Sequence, residues 1–251
     1  MLSKAKIKYI KSLHLKKNRV QDKLFIVEGA KTVLEFIKSE FAVQQLYGTE
    51  LFWDQNEAFL VNSNVPFELA TENELGQAGF LTSNNTVLAL VYIPLNSVVH
   101  LPVNEWSIAL DSINDPGNLG TIIRIADWYG IKHVVVSNNS VDAYNPKVVS
   151  ASKGSLARVR VHYLELDNLL NEYQGVILGS GMEGEDIHTL KKIEGGVVLM
   201  GSESHGISSG LESLLTHKIT IPKLGGAESL NVAVATAIIC DNLIGRVESL
   251  K

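Results

Sequence analysis

The chain has 251 residues, of which 45% are hydrophobic and 20% are charged, and its formal net charge is −5. This balance excludes a disordered tail, a collagen-like chain and a low-complexity chain, and the length allows one or two domains with a core. The single cysteine, Cys240, excludes a disulfide framework and a multi-thiolate metal site. The longest apolar runs, 87–95 and 232–240, are too short to cross a bilayer, and the N-terminus lacks the apolar segment of a secretory signal. We therefore expect a soluble cytoplasmic protein with no membrane partner.

The first block, residues 1–95, alternates between helices and strands, which predicts a small α/β domain. Ile7, Ile10 and Leu13 give the first predicted helix, 3–17, one apolar stripe. The Thr71-x-x-Glu74 pattern predicts a capping box at the start of a short helix. The remaining helices are predicted at 30–39 and around 54–60, and the strands at 24–27, 43–47, 66–69 and 86–93.

The second block, residues 103–251, follows a segment with a proline near each end, 94–102, and alternates more regularly. Several of its strands are apolar without alternation, a pattern typical of a parallel sheet covered by helices on both faces. Its strands are predicted at 107–110, 133–137, 159–163, 176–179, 197–200 and 218–221. Its helices are predicted at 119–128, 146–155, 166–173, 208–215 and 229–246, the last of them apolar nearly all round.

The charge is segregated toward the N-terminus. Residues 1–23 hold eight Lys or Arg residues against one acid, a net of +7, so the remainder, with 14 bases and 26 acids, carries −12. A basic end on an acidic body is typical of a protein with a polyanionic partner. A solvated, lysine-rich helix face explains the same charge equally well, so charge alone leaves both interpretations open.

Residues 179–184 spell G-x-G-x-x-G directly after a predicted strand, which is the outline of a dinucleotide fingerprint. Glu183, Glu185 and Asp186 would place three carboxylates where a pyrophosphate should meet a positive helix N-terminus. These charges favour an ordinary loop at a strand end over a nicotinamide-dependent oxidoreductase.

Polar residues follow three predicted strands of the second block. After the first of its strands, Asn118 lies at the predicted N-cap of a helix that closes at Gly130. Arg124 falls in a very apolar part of that helix, so its guanidinium must find an acidic partner or reach a cleft. The residues alone leave the structural and the functional role of Arg124 open.

The other two polar segments follow the last two predicted strands. Glu203 lies in a tight turn between Gly201 and Gly206, where a carboxylate faces either solvent or the ligand crevice of an open α/β sheet. A glycine-containing loop then leads to Ser229, whose hydroxyl is predicted to cap the last helix. Asn231, at the mouth of that apolar helix, must be hydrogen-bonded or serve a site.

Taken in this order, the three segments resemble the signature motifs of the SpoU (TrmH-type) RNA ribose 2′-O-methyltransferases of the SPOUT class. The matching residues are Asn118, Gly120 and Arg124, then Gly201, Glu203 and Gly206, then Ile221, Pro222, Ser229, Leu230, Asn231 and Val232. Residues 142–147 and 151–154 are similar to a further stretch of rRNA-directed members. The first block, with the FIVEG strand at 25–29, resembles the family's N-terminal RNA-binding domain, which is similar to a ribosomal protein fold.

The resemblance implies an α/β fold: a trefoil-knotted SPOUT methyltransferase domain at 103–251, preceded by a substrate RNA-binding domain at 1–95. It implies S-adenosylmethionine as cofactor, bound at Met200, Gly201, Ile221, Pro222 and Leu230, and catalytic roles for Asn118, Arg124, Glu203, Ser229 and Asn231. Because a guanidinium stays protonated, we expect Arg124 to stabilise the developing alkoxide rather than act as a base. No metal is implied, since no His, Asp or Glu cluster has ligand spacing.

The resemblance also implies an RNA substrate, with rRNA favoured, and a homodimer built on the helices at 232–244 and 119–128. Together with the basic N-terminus it predicts RNA contacts by Lys4, Lys8, Lys16, Lys17, Arg19, Lys147 and Lys153. Four departures from the family pattern, Ser150, Ser204, His205 and Lys223, bear on which RNA is methylated and how it is oriented. The alternatives are a tRNA 2′-O-methyltransferase, an RNA-binding assembly factor without catalysis and the oxidoreductase. Retention of all five catalytic candidates speaks against the assembly factor.

Overall fold

The computed structural model describes residues 1–81, 85–95 and 99–245, and the chain divides into two compact units. The first unit comprises Met1–Leu95 and Asp142–Ala157, and the second comprises Asn96–Val141 and Arg158–Lys251. The sequence-based division near residues 94–102 assigned Asp142–Ala157 to the second domain, whereas this stretch packs within the first unit. In the part of the chain that the structure describes, no helix combines the length and the apolar character needed to cross a bilayer.

The first unit is a small α/β domain around one four-stranded sheet of order β1-β4-β2-β3, in which β2 and β3 are parallel and the other pairs antiparallel. Its strands are β1 (Leu24–Glu28), β2 (Val43–Gly48), β3 (Phe67–Leu69) and β4 (Val87–Tyr92). Its helices up to residue 95 are α1 (Lys4–Ser12), α2 (Lys16–Asp22), α3 (Ala30–Ile37), α4 (Glu50–Ser63) and α5 (Glu72–Ala78). The capping box predicted at Thr71 and Glu74 is confirmed, because each side chain bonds the other residue's backbone N–H.

The prediction of a single helix at 3–17 is wrong, because the helical structure breaks between α1 and α2. Arg19 stabilises this break: its Nη1 donates to the carbonyl oxygens of Leu13 and His14, each at 2.8 Å. Arg19 is 1% exposed as a residue, and its guanidinium forms an ion pair with Asp142, at 2.6 Å between Nη2 and Oδ2. Arg19 therefore holds the first unit together, and the prediction that it contacts RNA is contradicted.

The Asp142–Ala157 stretch joins the first unit through packing as well as through this ion pair. It contains α7 (Pro146–Ser152) and a 3₁₀ turn at Ser155–Ala157, and α7 packs against β1. The Tyr144 ring lies 4.8 Å from the Phe25 ring, centroid to centroid. Lys147 and Lys153 remain exposed on this stretch.

The second unit is a six-stranded sheet of order β10-β8-β9-β5-β6-β7 in which every pairing is parallel. Its strands are β5 (Trp106–Leu110), β6 (His133–Ser137), β7 (Arg160–Leu164), β8 (Ile177–Asp186), β9 (Gly196–Met200) and β10 (His217–Thr220). Its helices are α6 (Pro116–Trp128), α8 (Leu166–Glu172), α9 (Ser209–Glu212) and α10 (Val232–Cys240), with a π-helical turn at Asp241–Gly245. The predicted parallel sheet is confirmed, and β9 is buried along its whole length, as expected for a central strand.

The residues of the apparent dinucleotide fingerprint lie inside β8. The pairing with β10 jumps from Gly179 opposite Lys218 to Glu185 opposite Ile219, so residues 180–184 bulge out of the ladder. A dinucleotide fingerprint needs a tight turn that opens a helix, and this strand continues instead to Asp186. The geometry therefore contradicts the oxidoreductase alternative.

Candidate active site

The three polar segments lie at one edge of the second sheet. Because β5, β9 and β10 are parallel, the loops that follow them leave from the same edge, where ligands bind in open α/β sheets. Asn118 lies in the first turn of α6, Glu203 in the turn after β9, and Asn231 at the start of α10. The fold thus brings together residues that are up to 113 positions apart in sequence.

The side chains of Asn118, Glu203 and Asn231 form one hydrogen-bonded network. Asn118 Nδ2 donates to Glu203 Oε1 at 2.8 Å, and Asn231 Nδ2 donates to the same oxygen at 3.0 Å. Asn231 Nδ2 also donates to Asn118 Oδ1 at 2.9 Å. One carboxylate therefore ties the loops after three different strands to each other.

The helix caps at this site differ from those predicted, and at α6 the difference frees the Asn118 amide for the network. Asp115, not Asn118, caps α6 by accepting a hydrogen bond from the Asn118 backbone N–H at 2.9 Å. Asn231, not Ser229, caps α10 with its Oδ1, which accepts from the N–H groups of Ala233 and Val234. Asn231 can cap the helix and donate to Glu203 at once because an amide carries both an acceptor and donors.

The turn that carries Glu203 is closed by the backbone of Ser202 and Gly206, which exchange two hydrogen bonds of 2.9 and 3.0 Å. Gly206 has φ +69°, a left-handed conformation that favours glycine. A Cβ on Gly201 would lie 2.0 Å from the Gly206 carbonyl carbon, so only glycine fits there. The two glycines of the Gly-x-Glu-x-x-Gly pattern are thus needed to close the turn that carries Glu203.

Asp111, which no sequence motif indicated, supports this turn. Its side chain is buried, and Oδ2 accepts a hydrogen bond from the Ser208 backbone N–H at 2.8 Å, while Oδ1 accepts from the Ser112 hydroxyl. Asp111 therefore links the end of β5 to the loop after β9. An acid directly after a buried strand was the available signal, since a buried carboxylate requires partners.

A cavity of about 590 Å³ adjoins the network within the second unit. It is lined by all five residues predicted to bind the cofactor, Met200, Gly201, Ile221, Pro222 and Leu230, and by Glu203 and Ser229. The β8 bulge contributes Ser180, Gly181 and Met182 to the same wall. Apolar side chains beside loop backbone suit a ligand with a flat aromatic part and a polar part. Among the described residues, no group of three or more His, Cys, Asp or Glu side chains is placed to hold a metal ion.

Arg124 lies outside this network. It is exposed on α6 and makes no hydrogen bond or ion pair with any described residue, so of the two possibilities left open by the sequence, an acidic partner and a cleft, the acidic partner is not present among the described residues. Arg124 follows Asn118 by six residues, roughly 9 Å along the helix axis at 1.5 Å per residue. Its charge is free for a ligand or a partner that approaches this helix.

The predicted RNA-binding lysines are placed on the surface of the first unit. Lys4, Lys8, Lys16 and Lys17 are exposed on α1 and α2, as are Lys147 and Lys153 on and after α7. Exposure leaves these ammonium groups available to phosphates, in contrast to the buried Arg19.

Comparisons with known proteins agree with the fold and with the family resemblance. The family model of the SpoU rRNA Methylase family matches residues 105–241, and the MRM3-like substrate binding domain matches residues 4–89. The "23S rRNA (guanosine(2553)-2′-O)-methyltransferase RlmP" of Bacillus subtilis is 30% identical over 96% of both chains. An AdoMet-bound rRNA methyltransferase from Sinorhizobium meliloti superposes with a TM-score of 0.86 at 26% identity, over 96% of this chain and 95% of that one. AviRb from Streptomyces viridochromogenes, in complex with AdoMet, has the same fold, with a TM-score of 0.87 at 21% identity over 98% and 99% of the two chains.

The parallel sheet, its cofactor-sized cavity and the preceding substrate-binding unit define an α/β methyltransferase that acts on RNA. The chain belongs to the SpoU rRNA Methylase family, whose model covers more than half of its residues.

Proposed function

We propose that the protein transfers a methyl group from S-adenosylmethionine to the 2′-hydroxyl of a ribose in ribosomal RNA. The observation that carries the proposal is the Asn118–Glu203–Asn231 network, which joins the three family motifs beside the cavity. The Bacillus relative, named as a 23S rRNA 2′-O-methyltransferase and aligned over nearly the whole chain, supports rRNA over tRNA as the substrate.

The cavity fits S-adenosylmethionine, which supplies an electrophilic methyl group when it is bound. Met200, Ile221 and Leu230 provide apolar surface for an adenine ring. The backbone around Gly201 provides polar groups at close range, because no side chain intervenes there. Glu203 keeps the turn in place through its bonds to the two asparagines, so the cavity is shaped before a ligand enters.

Arg124 is proposed to stabilise the alkoxide that develops on the ribose oxygen. A guanidinium stays protonated in proteins, so it serves as a positive charge and hydrogen-bond donor rather than as a base. Because Arg124 is exposed, the bound RNA brings the reacting hydroxyl to it, either at the site of its own chain or, across a dimer, at the site of a second copy. Ser229, exposed at the rim of the cavity, is proposed to contact the same substrate group.

We also propose that two copies of the chain form a homodimer through their second units, each of which contains a trefoil knot. We propose that this dimer acts on ribosomal RNA in the cytoplasm. The support is apolar surface on two helices that pack together, α6 and α10: Trp128 is 82% exposed and Val234 is 49% exposed. Isologous contact between such faces buries on the order of 2,000 Å² in a stable homodimer. Ile239 is fully buried within its own chain and lies outside this surface.

The test measures methyl transfer to rRNA by the purified protein and maps ribose methylation in cells with and without the gene. Arg124→Ala should abolish turnover and leave the affinity for S-adenosylmethionine within about twofold, since Arg124 does not line the cavity. Arg124→Lys is the matched control for charge without the planar donor fork. Undiminished turnover in Arg124→Ala removes Arg124 from the mechanism. Cofactor binding without any methyl transfer would favour the non-catalytic assembly factor.

A further inference from the structure

A groove of about 760 Å³ lies between α1 and the end of α5 in the first unit. Lys4, Lys8 and Lys11 line it, and their spacing of four and three residues places them on one face of α1. All three are exposed, and they span roughly 10 Å along the helix at 1.5 Å per residue. None of the described residues that line the groove is acidic. The groove therefore presents a row of cations on a chain whose remainder is acidic.

Two aromatic rings, those of His14 and Phe80, line the same groove as these lysines. Phe80 is 37% exposed, and its ring meets the His14 ring edge to face, with centroids 5.8 Å apart and an interplanar angle of 78°. Burial lowers the pKa of His14, which favours a neutral ring beside the lysines. His14 Nε2 is buried and has no hydrogen-bond partner among the described residues.

The position of Phe80 is fixed by a carboxylate from the end of β1. Glu28 Oε2 accepts hydrogen bonds from the backbone N–H groups of Phe80 at 2.9 Å and Leu81 at 3.3 Å. A Cβ on Gly79 would lie 2.1 Å from Glu28 Oε1, so glycine at this position lets the carboxylate reach the turn. The partly exposed ring is thus held in a defined place rather than left on a loose loop.

From this arrangement we propose that the α1–α5 groove binds a single-stranded segment of the RNA substrate. In this arrangement the lysines contact successive phosphates while a base stacks on Phe80. The proposal rests on the function proposed above, because it takes the RNA substrate as the ligand. Cations beside an aromatic platform are the combination by which proteins bind single strands, because every base has a face that can stack. A duplex fits less well, since its bases are stacked inside and cannot reach Phe80.

The first experiment separates the lysine row from general charge. Binding of a fluorescent 12-nucleotide oligo(A) is measured by anisotropy as a function of salt for the full chain, for K4Q/K8Q/K11Q and for K132Q/K191Q/K192Q. The second variant removes the same charge from exposed lysines of the second unit. At about 0.7 per phosphate contact, the groove variant should lower the log–log salt slope by about 2, and the control should leave it unchanged. Equal slopes for the two variants would overturn the proposal.

The second experiment tests stacking through Phe80→Leu, which keeps an apolar side chain and removes the aromatic face. Stacking is worth ~1–3 kcal/mol per base, so the affinity for oligo(A) should fall roughly fivefold or more at an unchanged salt slope. Wild-type affinity in this variant, or equal binding of a 12-base-pair RNA duplex by the wild-type protein, would overturn the proposal. Competition by polyglutamate as strong as by oligo(A) would assign the groove to an acidic protein instead.

Methyl transfer to rRNA is measured on the same preparations, with thermal unfolding as the check on folding. If the wild-type protein methylates rRNA and the variants bind oligo(A) normally, only the groove proposal fails. If the wild-type protein neither binds S-adenosylmethionine nor methylates rRNA, the proposed function fails whatever the groove binds.

Discussion

Asn231 offers a way to separate the stability of the site from its chemistry. Its Oδ1 caps α10, and its Nδ2 donates to Glu203 and Asn118. Asn231→Ser keeps a side-chain oxygen that caps a helix well and removes both donors. Asn231→Ala removes the cap as well, at a cost of ~0.5–2 kcal/mol in the free energy of unfolding. We expect Asn231→Ser to unfold near the wild-type urea midpoint and to lose at least tenfold in methyl-transfer rate.

Asn231→Asp is the sharper test, because it keeps the cap and places a second carboxylate beside Glu203. The substituted oxygen would stand where Nδ2 lies, 3.0 Å from Glu203 Oε1. Repulsion between two unit charges 3.0 Å apart costs about 1.4 kcal/mol in water and about 5.5 kcal/mol at an effective dielectric of 20. At neutral pH this repulsion should push the Glu203 turn away from α10 and weaken binding of S-adenosylmethionine roughly 10- to 10,000-fold.

The pH dependence distinguishes this repulsion from other damage. Two neighbouring carboxylates raise the pKa of the pair, so one of them takes up a proton as the pH falls and then donates a hydrogen bond to the other. The affinity of Asn231→Asp relative to the wild type should therefore recover as the pH falls below neutral, as measured by calorimetry. Asn231→Ser, which adds no carboxylate, should show no such recovery. Wild-type cofactor affinity and turnover of Asn231→Asp at pH 7.5 would refute a positioning role for the network.

Three further predictions follow from other contacts. Arg19→Met removes the Arg19 partner of Asp142 and of two carbonyl groups, so the free energy of unfolding in urea should fall by about 3–5 kcal/mol. Adding Asp142→Leu should recover most of this loss. An unchanged urea midpoint for Arg19→Met would contradict the buried ion pair. Burial raises the pKa of the Cys240 thiol to about 12, so a disulfide reagent at pH 8 should label Cys240 only after unfolding. Because the pKa in the folded protein lies above that of the unfolded chain, at about 8.5, the thiol's contribution to stability is present below that pH and is lost as the pH rises toward 12; rapid native labelling would show that the thiol is accessible. Val234→Glu places a charge on the exposed apolar side of α10, so the protein should sediment as a folded monomer with little activity. The control Ser213→Glu, on an exposed turn, should not change the assembly. A fully active Val234→Glu monomer would remove the dimer from the mechanism.

Local patterns in the sequence determined the elements and the chemistry of the site. Continuous apolar runs predicted the parallel sheet, and β6 begins and ends where it was predicted. The capping box at Thr71 was predictable because both of its hydrogen bonds span only three residues. The order and spacing of the three polar motifs identified the family before any contact was known, since glycines, caps and polar side chains at fixed intervals are local requirements of the chain.

The tertiary structure alone decided which of several competent residues takes each role. Asp115 and Asn118 can both cap α6, as can Ser229 and Asn231 for α10, and the choice depends on backbone dihedral angles that packing sets. In the sequence, Arg19 is one more cation of a basic N-terminus. In the fold, Arg19 is buried and bonds to Asp142, 123 residues away, and this contact joins Asp142–Ala157 to the first unit. Arg124 reads as a buried charge, yet α6 turns it toward solvent. A charge is buried or exposed according to the free energy of contacts with distant residues, and a pattern along the chain does not contain those contacts.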